Sequence, residues 1–178
     1  MDDINTIEKC LAGDKKAFSF LVQKYQKKAF AHAIAILGNH EDSLDAIQDA
    51  FLDAFKALGS FDKSRQFYPW LYSILRNRCF KILSNKNKVI KVDTDYLVIL
   101  ASSQKETLET QTYLIEKALL ELDSKDREIL TLKYLDELSY EEIASMLDIP
   151  TGTVMSKLYY ARIRFRDEIN KFRKKENE

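Results

Sequence analysis

Asp42, Asp45, Asp49 and Asp53 recur at spacings of three and four, which on a helix sets their carboxylates along one face. Carboxylates so placed have three chemical uses: holding a divalent cation, moving protons, or meeting a basic partner. A cation needs a cage of oxygens, and an open helical face offers none and specifies no further ligand. Proton transfer or nucleophilic work needs a second group within hydrogen-bond reach. His32 falls in an apolar helix and His40 in a turn, and neither has an evident catalytic partner. Charge runs are ordinarily solvated faces. A stripe of like charge still repels itself by about a few tenths of a kcal/mol per pair, so it calls for solvent or a basic partner. No catalytic residue, metal site or cofactor is expected.

A second group lies just downstream, where Lys63, Arg65, Phe67, Tyr68, Trp70, Tyr72, Arg76, Asn77, Arg78 and Lys81 fall within a short span. Aromatic rings interleaved with cations are what unpaired nucleic acid asks for, the rings to stack on bases and the cations to follow phosphates. Phe67 and Trp70 also read as core residues. Asn77 has the least structural reason to be there.

The third group is the stretch from Leu138 to Val154. Ser139 with Glu142 three residues on is a capping box, so a helix should begin at Tyr140 and bury Ile143, Ala144 and Leu147. It should stop at Asp148-Ile149-Pro150, since the residue before a proline avoids the helical region and Asp tolerates the left-handed one. Thr151 then caps a second helix with Val154 and Leu158 inward. Its outward face carries Thr153, Met155, Ser156, Lys157, Tyr159 and Tyr160, followed by Arg162, Arg164 and Arg166. Two capped helices at a tight corner form a helix-turn-helix, whose second helix suits the major groove of duplex DNA. Lys and Arg dominate from Lys157 to Lys175 while Glu121 to Asp148 is mostly acidic, so attraction to phosphate concentrates on that second helix.

The elements that position these groups are all helical. The 178 residues are 46% hydrophobic and include only four Gly and two Pro, which with long 3.6-residue periodicity predicts an all-α chain. Asp14 opens a helix that runs to Leu37 and buries Phe18, Leu21, Val22, Tyr25, Ala29, Ile34 and Leu37, and Gly38 ends it. Asn39 and Asp42 open the acidic helix, with Ala46, Ile47, Ala50, Phe51, Ala54, Phe55 and Leu58 inward and Gly59 closing it. A loop leads to Pro69 in the first turn of a third helix, with Trp70, Leu71, Ile74, Leu75 and Leu83 on its apolar side. Periodicity breaks at Asn85-Lys86-Asn87-Lys88. The expected layout is two small helical domains, 1–85 and 112–178, joined by a flexible linker, 86–111, whose apolar middle, Tyr96 to Ala101, docks on a domain or a partner. In the second domain Leu114, Ile115, Ala118 and Leu119 precede a helix after Asp123-Ser124 that carries Ile129, Leu130 and Tyr134. There is no internal repeat. Cys10 and Cys79 lack neighbours at ligand spacing and read as reduced, buried thiols. The start lacks a signal-peptide pattern and no run is long enough to span a bilayer, so a cytoplasmic protein is expected. The net charge of zero averages acidic and basic segments and predicts weak DNA binding without a partner.

The order of acidic helix, Gly59-Ser60-Phe61-Asp62, Phe67 to Trp70-Leu71, Arg76-Asn77, linker and helix-turn-helix resembles the sigma-70 family of bacterial sigma factors, extracytoplasmic-function type. Two blocks carry the resemblance, Ala46-Ile47-Gln48-Asp49-Ala50-Phe51 and the run from Lys133 through Ala144 to Val154. It implies a promoter-specificity subunit of RNA polymerase with no chemistry of its own. Asp45, Gln48 and Asp49 would dock on the clamp helices of the largest subunit. Lys63, Arg65, Phe67, Ser73, Arg76, Asn77 and Lys81 would read and open the minus-ten element as a single strand, capturing a flipped base whose unpairing costs about a few kcal/mol. The second domain would sit on the polymerase flap and read the minus-thirty-five element as duplex through Thr153, Met155, Ser156, Lys157, Tyr159, Tyr160 and Arg162. An anti-sigma protein is the further partner implied. Met155 and Tyr160 stand where relatives commonly carry basic residues, so the bidentate guanine contact of an arginine is missing at both. Lys81 replaces an Asp, Ser84-Asn85 a basic pair, and Asp148 the corner glycine. The competing reading is a stand-alone helix-turn-helix regulator that binds duplex DNA without polymerase.

Overall fold

Among the residues that the computed structural model describes, 2–85 and 109–176, regular secondary structure is helical throughout. In chain order these are α1 (Asp3–Leu11), α2 (Phe18–Leu37), α3 (His40–Ala57), α4 (Phe67–Asn85), α5 (Glu109–Leu120), α6 (Ser124–Tyr134), α7 (Tyr140–Leu147) and α8 (Thr151–Glu176). Short 3-10 turns sit at Lys15–Ala17 and Leu58–Ser60. Tyr96 to Ala101 lies outside the described residues, whereas α5 begins at Glu109, inside the stretch read as linker. The described residues group into two units, one drawn from Met1–Ala33 and Glu41–Val89, the other from Ile34–His40 and Ile90–Glu178.

Helix ends follow local chemistry, with exceptions. Gly38 takes φ 66° and donates its amide to the Ile34 carbonyl at 2.8 Å, the left-handed stop expected of it. Gly59 does not repeat this: it lies in the 3-10 turn, and α3 ends by tightening rather than by reversing hand. Asp14 caps the 3-10 turn, accepting from the Lys16 amide at 3.1 Å, so α2 starts only at Phe18.

In the first unit, α3 buries Ala46, Ile47, Ala50, Phe51 and Ala54, and α4 buries Phe67, Tyr68, Leu71, Tyr72, Leu75 and Cys79. The alanines let helices approach closely, and the aromatics fill what remains. Phe18 meets Phe51 and Phe55 edge-on, with centroids at 6.4 and 5.1 Å. His32 is 1% exposed, its ring 5.0 Å from that of Tyr72; it is a core residue. Asp3 ties α1 to α2 by accepting from Lys24 Nζ at 2.5 Å and from the Tyr25 hydroxyl. Neither Cys10 nor Cys79 is in a disulfide, and both are buried. Burial, helped by the Asp14 charge, pushes the Cys10 thiol up.

In the second unit α5, α6 and α7 all pack on α8. Asp123 caps α6 by accepting from the Asp126 amide at 2.8 Å. Leu122, Ile129, Leu132, Ile143, Val154, Leu158 and Ala161 make the core. Tyr134 is 60% exposed. Ile115 is likewise exposed. Among the described residues no helix is long and apolar enough to cross a membrane, and no group of three His, Cys, Asp or Glu could hold a metal ion.

Candidate nucleic-acid interface

The helix-turn-helix forms as its residues dictate. Glu142 N–H donates to Ser139 Oγ at 3.1 Å and Ser139 N–H to Glu142 Oε2 at 2.8 Å, closing the capping box. The Ser139 amide, with its hydroxyl, holds the Glu142 carboxyl below the usual carboxylate range. Asp148 takes the left-handed conformation, φ 54° and ψ 50°, and ends α7. The Val154 amide reaches the Pro150 carbonyl at 3.1 Å, so Thr151 is the first helical residue of α8 rather than its cap. Within α7 Met146 is buried and Leu147 half-buried, the reverse of the expected emphasis. The helix is only eight residues long, and its last turn rolls to meet the corner.

On α8 Val154, Leu158 and Ala161 are completely buried, while Met155, Ser156, Lys157, Tyr159, Tyr160 and Arg162 are exposed and Thr153 is half-buried. These latter residues therefore lie outside the buried stripe of α8. Arg162 donates to the Tyr140 hydroxyl at 3.2 Å, which anchors it beside the start of α7. Arg164 leaves the basic row: it donates to both carboxylate oxygens of Asp126, one at 2.7 Å, and Asp126 is only 5% exposed. That pair joins α8 to α6, a structural use that spacing within α8 could not reveal.

The second candidate surface is the loop before α4 and the outer side of that helix. The loop is a built turn: the amide and hydroxyl of Ser64 donate to Asp62 Oδ1 at 2.9 and 2.7 Å, and the Arg65 amide to the Asp62 carbonyl at 3.0 Å. The Ser64 donors hold the Asp62 carboxyl low. Lys63 and Arg65 are exposed on it, Lys63 within 3.0 Å of Glu8 of α1 and Arg65 within 3.4 Å of Asp62. On α4 Ser73, Asn77 and Lys81 are exposed at spacings of four, and half-buried Arg76 lies over the Phe80 ring. The Ser73 hydroxyl is used within the helix, donating to the Pro69 carbonyl at 3.1 Å.

Phe67 corrects an expectation. It is 1% exposed and its ring packs against those of Phe61, Trp70 and Tyr25; it supports the surface and offers no face to a base. Tyr68 and Tyr72 are buried too. They recur with Leu71, Leu75 and Cys79 at spacings of three and four, a core stripe legible in the sequence but masked by the intervening cations.

The acidic face of α3 holds Asp45, Gln48 and Asp49 exposed and Asp42 and Asp53 half-buried. Its basic partner is in part internal. Arg78 of α4 donates from Nε to Asp53 Oδ2 at 2.6 Å and reaches Asp49 at 3.5 Å, which relieves the repulsion along the stripe. Beside it Leu44 and Leu52 are 42% and 56% exposed. They stand four residues either side of Gln48 on the same helix.

Known proteins share this arrangement. Residues 21–89 match the family pattern Sigma-70 region 2, and residues 113–165 match Sigma-70, region 4. The RNA polymerase sigma-H factor of Pseudomonas aeruginosa is 31% identical over 173 residues, 90% of each chain. The ECF RNA polymerase sigma factor SigW of Bacillus subtilis is 29% identical over 92% of this chain and 94% of its own. The ECF RNA polymerase sigma-E factor of Escherichia coli strain K12 is 34% identical over 88% of each. Among solved structures, CnrH in complex with the cytosolic domain of CnrY shares the fold with a TM-score of 0.67 at 24% identity, over 94% of this chain and 97% of that one. RpoE of Bartonella quintana, in complex with the anti-sigma factor NepR, also gives 0.67, at 23% identity over 87% and 98%. Two family patterns in the expected order, and relatives aligned along nearly the whole of both chains, favour the sigma reading over a stand-alone regulator: the chain belongs to the sigma-70 family of RNA polymerase sigma factors, extracytoplasmic-function type, and is a promoter-specificity subunit.

Proposed function

We propose that the chain docks on core RNA polymerase through α3, opens the minus-ten element with the Phe61–Phe67 loop and α4, and reads the minus-thirty-five element as duplex with α8. The observation that carries this is the recognition helix, which buries Val154, Leu158 and Ala161 and turns Met155, Ser156, Lys157, Tyr159, Tyr160 and Arg162 to solvent. Residues 1–85 and 109–178 act as the two DNA-reading parts. Lys157 and Arg162 bind phosphates. On the other surface Asn77, Ser73, Lys81, Lys63, Arg65 and Arg76 take the unpaired strand. Phe67 holds the loop from beneath.

Asp45, Gln48 and Asp49 meet the basic clamp helices, and the second part rests on the flap. The exposed Leu44 and Leu52 add desolvated area to the clamp contact, which charge alone would leave weak and salt-sensitive. The protein acts in the cytoplasm and has no chemistry of its own. An anti-sigma protein holds it inactive; support comes from exposed acidic and apolar faces that need cover when polymerase is absent.

Transcription of fragmented genomic DNA by the cognate core polymerase, with and without the chain, tests the reading. Discrete new start sites sharing two spaced motifs are expected. No new starts, with tight DNA binding by the chain alone, would overturn it. Gln48→Ala with Asp49→Lys is expected to abolish polymerase binding with the helical signal unchanged, and undiminished binding would remove α3 from the clamp.

A further inference from the structure

From Thr151 to Ala161 the recognition helix carries no arginine that could fork onto a guanine. Arg162 is engaged by the Tyr140 hydroxyl at 3.2 Å and Arg164 by Asp126. What it presents is apolar: Met155 and Tyr159, one helical turn apart, are 54% and 60% exposed. The Tyr160 ring meets that of Tyr159 edge-on at 5.3 Å, which extends the apolar surface beside Tyr159. Between them Ser156 spends its hydroxyl on the Thr153 carbonyl at 3.0 Å. A Cβ placed on Gly152 would meet nothing within 4 Å, so the start of the helix is open to close approach. An exposed apolar patch on a helix can await a protein or a nucleic acid. Charge decides here, because from Thr151 to Arg166 the helix carries Lys157, Arg162, Arg164 and Arg166 and no Asp or Glu. A polyanion with an apolar feature in its groove is the occupant that fits.

Duplex DNA offers one such feature in the major groove, the methyl group of thymine. We infer that Met155 and Tyr159 recognise thymine methyl groups in the duplex promoter element, so that specificity there rests on shape and apolar contact and not on hydrogen bonds to guanine. This rests on the reading of α8 as the duplex-reading helix.

Deoxyuridine differs from thymidine by that methyl group alone and keeps the same base pairing, so it tests the inference with the native protein. The holoenzyme, cognate core polymerase with the full chain, would be titrated against promoter fragments bearing a mapped start site. Each thymine of the upstream element would be replaced in turn by deoxyuridine. Loss of one buried methyl predicts about fourfold weaker binding at one or more positions. Holoenzymes carrying Met155→Ala or Tyr159→Ala should bind more weakly and no longer distinguish thymine from uracil at the position each side chain covers. Equal binding of thymine and uracil fragments, where scrambling the upstream element still weakens binding, overturns the methyl inference and leaves the promoter reading standing. Scrambling without effect overturns both.

Discussion

Phe67 and Asn77 share α4 and differ in what each offers a nucleic acid. Phe67, 1% exposed among Phe61, Trp70 and Tyr25, gives the loop above it a floor. Phe67→Ala should cost about 4 kcal/mol, seen as an earlier midpoint in chemical denaturation. Asn77→Ala should leave stability within about 0.5 kcal/mol and still reduce promoter opening, read as fewer permanganate-reactive thymines around the start site. Arg164 belongs with Phe67 rather than with its basic neighbours. Arg164→Ala strands the buried Asp126 carboxylate and should cost about 2 kcal/mol, whereas Lys157→Ala should cost almost none. Exposure divides these roles, and a sequence shows it only through periodicity. The stripe Tyr68, Leu71, Tyr72, Leu75, Cys79 has the periodicity of a core face, and Arg76, Asn77 and Arg78 interleave with it in the sequence. The partner of Arg164 sits on another helix, beyond the reach of any local rule.

The corner between α7 and α8 shows how far local rules reach when every signal is within a few residues. Ser139 and Glu142 set its start, Asp148 its left-handed stop, and Pro150 forbids continuation, all as the sequence implies. Asp148→Gly should change stability by no more than about 0.5 kcal/mol, and Asp148→Val should lose about 2 kcal/mol, because a branched side chain resists that backbone region. Thermal melting of the two variants side by side checks this. The cap also carries a pH dependence. Glu142 is held below its ordinary range by its Ser139 donors, so its folded value lies beneath its unfolded one. The stabilisation is therefore present above the usual glutamate range and is lost as pH falls from there through the lower folded value. Glu142→Gln should destabilise at neutral pH and progressively less in acid, whereas Ser139→Ala should cost about 1 kcal/mol with little dependence on pH, because it leaves in place the amide that donates to the carboxylate. Where the end of an element depends on packing, local rules falter: Gly59 had the right chemistry for a left-handed stop, yet α3 tightens into a 3-10 turn.

At the scale of the chain, a net charge of zero hides a separation that suits a protein working only in company. The acidic face lies on α3 and the cations concentrate on α8, so each end has its own partner. Neutralising one phosphate contact should reduce the salt dependence of promoter binding by about one unit of slope. Lys157→Ala should do so alike at promoters of any sequence, in contrast to Met155→Ala, which should leave the slope unchanged. The order of the two halves was legible because each carries a local motif. The placement of Arg78 between Asp49 and Asp53 was not, since it depends on how α4 lies against α3. The two cysteines have a practical bearing. Cys10 and Cys79 are 9% and 0% exposed, and burial raises the Cys10 thiol so that little of it is the reactive anion. A single cysteine introduced at Ser156 or Gln48 would then be the one thiol open to maleimide in the folded protein, and a dye at either place would report arrival at DNA or at polymerase without any native residue having to be removed.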